Sequence, residues 1–130
     1  MNISKNLLPI LIATGLLGCQ STTEPEGKVV TYAYLCESKA IDIETAVNRK
    51  IILRTAPEYP INAARNGVSG YAKMVFDISR NGTPTNIQVV ESYPDKTFEK
   101  ASVSTLSKWR FSMAETDTKC LTVQLDFKLG

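Results

Sequence analysis

From residue 70 to its C-terminus the chain switches twice between two hydrophobic rhythms. Over residues 70–78, Ala72, Met74, Phe76 and Ile78 interleave with Tyr71, Lys73, Val75 and Asp77. Side chains two apart share one face of a strand, so the stretch predicts a strand with one apolar face and one mixed face. Asn81-Gly82 follows, a pair that tolerates positive φ at both central positions of a tight hairpin. The return strand is predicted over residues 85–92, with Ile87 and Val89 on one face and Val90 on the other. Then the period lengthens. Phe98, Ala101, Thr105, Leu106 and Trp109 form one stripe at helical spacing, so Pro94-Asp95 ends the strand and a helix runs to about Lys108, capped by Asp95 or Thr97. Alternation returns over residues 120–129, with Leu121, Val123, Leu125, Phe127 and Leu129 set against Thr122, Gln124, Asp126 and Lys128.

Upstream the signals are shorter. Residues 29–36 (VVTYAYLC) are β-branched and aromatic enough for a strand, and residues 41–47 (IDIETAV) are ambiguous between strand and helix. The apolar run 51–53 stops at Ala56-Pro57. Pro60 at a first helical position and Gly67 just past the last predict a short helix over residues 61–66. Residues 20–28 (QSTTEPEGK) have nothing to bury and read as a flexible leash. Fully extended, it reaches about 30 Å, too short to cross a periplasm. Before it, Lys5 precedes an apolar run that ends at Gly18-Cys19. That run is of signal-peptide rather than membrane-spanning length. The resemblance to the bacterial lipobox implies cleavage after residue 18 and lipidation of Cys19, whose several acyl chains anchor as one cannot. Gln20 after the cysteine resembles an outer-membrane sorting signal, so the expected location is lipid-anchored at the periplasmic face of the outer membrane.

Composition narrows the function. There are 15 basic and 13 acidic side chains and no histidine. The basic residues are scattered, which argues against nucleic acid as a partner. Without histidine the usual general base near neutral pH and the commonest transition-metal ligand are missing, so no cofactor and no metal are expected. Asp77, Glu91, Asp95 and Glu99 follow no spacing that would place two carboxylates around one pocket, and no catalytic residue is assigned. With Cys19 acylated, Cys36 and Cys120 remain as an even pair in an oxidising compartment. A disulfide between them would remove unfolded-state entropy worth about 4 to 5 kcal/mol.

Taken in order, Pro57-x-Tyr59-Pro60, Ala63-Ala64, Gly67-Val68-x-Gly70, Val75-Phe76-Asp77-Ile78, Asn81-Gly82, Val89-Val90-x-Ser92, Phe98-Glu99-x-Ala101 and Trp109-Arg110-Phe111 resemble the C-terminal domain of TonB. The resemblance covers residues 48–130 and lays the chain out as a signal peptide (1–18), a linker (19–28), an N-terminal extension (29–47) and that domain. It implies an α+β fold, a three-stranded antiparallel sheet with two helices packed on one face, here open to extension by an N-terminal strand. It also implies binding by strand addition. An extended N-terminal segment of an outer-membrane transporter, or another envelope protein, would pair beside the last strand at Thr122, Val123, Gln124, Leu125, Asp126 and Phe127, with Tyr59 and Pro60 near the partner. The same strands can pair between two copies, so a homodimer is among the implied partners. The chain departs from an energy transducer in lacking a long proline-rich spacer, in carrying the extension 29–47, and in having Ser112-Met113 where a proline usually follows the Trp-Arg-aromatic triplet. A Cys36–Cys120 bridge would hold residues 29–35 beside the last strand, so that the extension covers the edge a partner would use. The second expected function is therefore a structural accessory subunit of an envelope transport or secretion complex, with its edge self-covered.

Overall fold

The computed structural model describes residues 35–36, 39–46 and 48–130. Cys19, the leash and residues 29–34 lie outside them. Among the described residues the elements given whole are, in order, β1 (Ile41–Asp42), β2 (Ile51–Leu53), α1 (Ile61–Arg65), β3 (Gly70–Ile78), β4 (Pro84–Tyr93), α2 (Glu99–Lys108), β5 (Arg110–Phe111) and β6 (Thr118–Phe127). The main sheet has the order β1-β6-β3-β4, and β2 with β5 forms a small second sheet. β6, β3 and β4 are antiparallel neighbours, while β1 joins β6 in parallel.

The expected alternation holds on the core side. Ala72, Met74, Phe76 and Ile78 of β3 and Leu121, Val123, Leu125 and Phe127 of β6 are all buried. Phe98, Leu106 and Trp109 close over them, with Ala63 of α1 in the same cluster. Phe98 stacks on Phe127 at 4.4 Å, and Tyr59 meets both rings edge-on at 5.6 and 5.7 Å. Both helices therefore pack on one face of the sheet. Removing Trp109, which is 1% exposed, would cost about 3 to 5 kcal/mol by the usual cavity cost of a large aromatic.

Several boundaries differ from the sequence expectation. Leu35 and Cys36 are helical, not strand. Among the described residues, the first element on the sheet is β1, within the stretch that is ambiguous between strand and helix, and it is followed by a turn in which the Thr45 amide donates to the Asp42 carbonyl. Pro60 is the N-cap of α1, one position before the first helical residue, and Gly67 past its end has φ 65°. Neither Asp95 nor Thr97 caps α2: Asp95 has φ 48°, and Phe98 occupies the N-cap with no side-chain cap bond. β6 ends at Phe127, leaving Leu129 exposed.

The hairpin is also wider than expected, because only Gly82 takes a positive φ. The Gly82 amide donates to the Ser79 carbonyl and the Ser79 amide to Thr83, each at 2.9 Å. This is a three-residue loop closed by a left-handed residue. Gly82 has a second reason to lack a side chain. Its carbonyl accepts the Phe111 amide, and a Cβ there would lie 2.0 Å from the Phe111 carbonyl oxygen.

Candidate edge-binding site

The mixed face of β3 holds the first surprise. Val75 and Asp77, on the face expected to be mixed, are 3% and 0% exposed. The Asp77 carboxylate accepts the Cys120 amide at 2.9 Å through Oδ1 and the Asn86 side-chain amide at 2.8 Å through Oδ2. Lys119 adds an ion pair at 3.3 Å. Asn86 and Cys120 both have positive φ, 51° and 58°, and both lie where the pairing register of β3 shifts. A bulge leaves backbone groups without a ladder partner. One buried carboxylate thus ties together a bulge on β4 and a bulge on β6.

Those bulges make the two edges of the core sheet unequal. β4 opens with Pro84 and changes register twice against β3, so its outer edge is broken. β6 pairs with β3 in unbroken register from Leu121 opposite Phe76 to Phe127 opposite Gly70. An interrupted, proline-headed edge resists strand pairing and a regular one invites it.

Among the described residues, β1 covers only the head of that regular edge. Ile41 and Asp42 pair with Leu121 and Thr122, and the Ile43 amide donates to the Thr122 carbonyl at 2.9 Å. Because that carbonyl points away from β3, strand alternation directs the amides and carbonyls of Gln124 and Asp126 the same way. Among the six β6 residues expected to meet a partner, Thr122, Gln124 and Asp126 present backbone outward. Val123, Leu125 and Phe127 turn their backbone to β3 and their side chains to the core. Beyond β1 the edge lines a cleft of about 460 Å³, walled by residues 54–57 and Trp109.

That wall is built by Trp109. Its ring nitrogen donates to the Thr55 carbonyl at 3.1 Å, and the Arg54 guanidinium lies 4.7 Å from the ring centroid. Arg54 also pairs with Glu44 at 2.9 Å across an exposed contact, worth little by itself.

Tyr59 and Pro60 sit elsewhere. The Tyr59 hydroxyl donates to the Val68 carbonyl and its ring fills the crevice between Phe98 and Phe127. With Pro60 it lines a separate cleft of about 730 Å³ along α2. The expected disulfide is present, joining Cys36 to Cys120 with 5.2 Å between Cα atoms and closing a sequence separation of 84 residues. Cys36 is fully buried.

Arg49 escaped the sequence reading altogether. It is 4% exposed, and its guanidinium donates to the carbonyls of Ser112 (2.6 Å) and Thr116 (2.7 Å) and to the Thr118 hydroxyl (2.9 Å). It fastens the turn between β5 and β6, at Ser112, Thr116 and Thr118.

Residues 55–129 match the family described as Gram-negative bacterial TonB protein C-terminal. The chain belongs to this family. It is 34% identical over 88 residues to Protein TonB of Yersinia enterocolitica, covering 68% of this chain and 34% of that protein. Protein TonB of Klebsiella pneumoniae is 29% identical over 81 residues, covering 62% and 33%. The chain spans about a third of the length of these relatives. The solution structure of the Pseudomonas aeruginosa TonB C-terminal domain superposes with a TM-score of 0.58 at 27% identity, over 68% of this chain and 92% of that one. The TonB2 protein from Vibrio anguillarum gives 0.51 at 28% identity, over 61% and 79%.

Proposed function

We propose that this TonB-family chain is a non-catalytic interaction module that captures an extended segment of another envelope protein by strand addition along β6. The reading rests on the inequality of the two edges, since among the described residues only β6 offers regular backbone to a guest. Gln124 and Asp126 supply the pairing groups, and the cleft beside them gives alternate guest side chains somewhere to lie. The partner is the N-terminal segment of an outer-membrane transporter or a component of an envelope complex. Lipidation of Cys19 would hold the module at the periplasmic face of the outer membrane, and the short leash keeps it there rather than letting it transmit force across the periplasm. Residues 1–18, 19–28, 29–47 and 48–130 then serve as signal, leash, edge cover and binding domain.

The test is Gln124→Pro. Its amide faces the open edge, so the substitution leaves the β3–β6 ladder intact while removing a donor a guest needs. Capture of envelope partners by cross-linking from native membranes should be lost while the far-UV spectrum and melting temperature stay near wild type. Unchanged capture by the folded variant would refute strand addition. It would instead favour an accessory subunit docked through another surface with its edge self-covered, a reading supported by the β1–β6 pairing.

A further inference from the structure

The segment on the head of β6 is held by more than its own pairing. β1 is only two residues long, too short to persist as a strand unaided. It is anchored on both sides. Before it, Cys36 is bonded to Cys120, which heads the regular part of β6, and the Lys39 amide donates to the Cys36 carbonyl at 2.9 Å, two residues before Ile41. After it, Ile43 is 4% exposed within the main core cluster. The bridge therefore confines the segment beside its acceptor, raising its effective concentration there without adding contacts.

We infer that residues 41–43 are the molecule's own guest on β6, and that the Cys36–Cys120 bridge sets how long this guest stays, so that thiol–disulfide exchange lengthens the edge offered to a partner. This rests on the strand-capture reading. With the bridge closed, a partner finds Gln124 and Asp126; with it open, Thr122 is added. The exchange needs a dithiol donor. One donor thiolate attacks Cys120, the less buried of the two sulfur residues, and displaces the Cys36 thiolate. The second donor thiol then breaks the mixed disulfide, the donor leaves as its own disulfide, and two electrons and two protons end on the protein's cysteines.

Amide hydrogen exchange on the full chain reads the lock without a partner. On reduction the Ile43 amide should exchange about tenfold faster while Met74 and Val123, in the β3–β6 ladder, keep their protection. An unchanged rate at Ile43 overturns the lock, as does an equal acceleration at Met74, which would make the bridge a support of the whole fold. A second variant, Ile43→Asn, expels the segment with the bridge intact. A labelled synthetic peptide of residues 39–46 should then bind the variant and the reduced wild type in trans, and not the oxidised wild type. If Ile43 exchanges faster on reduction but the peptide binds neither form, the segment is not a guest and strand capture itself is in error. If the peptide binds all three forms equally, the edge was never occupied and the lock alone fails.

Discussion

Replacing Asp77 with alanine tests the claim that one carboxylate holds both bulges. The side chain is fully buried, and its loss takes an acceptor from the Cys120 amide and from the Asn86 side-chain amide, both at left-handed residues. A buried donor left unmatched costs about 1 to 3 kcal/mol, and a hydrogen bond to a charged group contributes about 1.5 to 3 kcal/mol. Relief of the buried charge offsets part of the sum, leaving about 3 kcal/mol. In urea, with a slope of about 1.2 kcal/mol per molar for a domain this small, the midpoint should fall by about 2.5 M. Asp77→Asn keeps an acceptor for Cys120, and a flipped Asn86 amide can face its new NH₂ with an oxygen, so the cost should drop to about 1 kcal/mol. Lys119→Ala should cost less than about 1 kcal/mol, since that side chain is 57% exposed. If Lys119→Ala costs as much as Asp77→Ala, the ion pair matters and the bulge argument is wrong. A loss below about 1 kcal/mol for Asp77→Ala refutes it equally.

Arg49→Lys should destabilise by about 2 to 4 kcal/mol in the same assay, because one ammonium cannot match a planar fork that reaches Ser112, Thr116 and Thr118. Gly82→Ala forces a left-handed alanine into the Phe111 backbone, so it should cost more than about 2 kcal/mol and lower the melting temperature by about 10 °C or more. Its hydrogen bond to Glu91 raises the Tyr71 phenol above its ordinary value of 10.0, so spectrophotometric titration should bring it down in Glu91→Gln. The sign is that of an acid favoured in its neutral form: the contribution is complete below about pH 10 and is lost as the phenol ionises at higher pH.

Where a single rhythm governed a stretch, the sequence was readable. The alternation of Leu121, Val123, Leu125 and Phe127 and the stripe of Phe98, Leu106 and Trp109 named the core and the edge strand, because burial on one face imposes a period. The bridge was legible from two cysteines. Its consequence was expected on residues 29–35, of which 29–34 lie outside the described residues; parity says nothing about which neighbouring residues reach the sheet, and Ile41 and Asp42 do. Val75 and Asp77 failed for a different reason. A period-two pattern assigns faces but cannot foresee that bulges at Asn86 and Cys120 will need a buried acceptor. Arg49 left no local trace at all, as its carbonyl partners lie 29 to 67 positions away.

The broken outer side of β4 also puts a ceiling on self-assembly. Endless stacking of copies into a filament needs each molecule to donate one edge and accept on the other, and here only one side is fit for either role. Copies that meet through β6 would use up both partners' capacity in a single closed pair, so crowding them should yield no fibres.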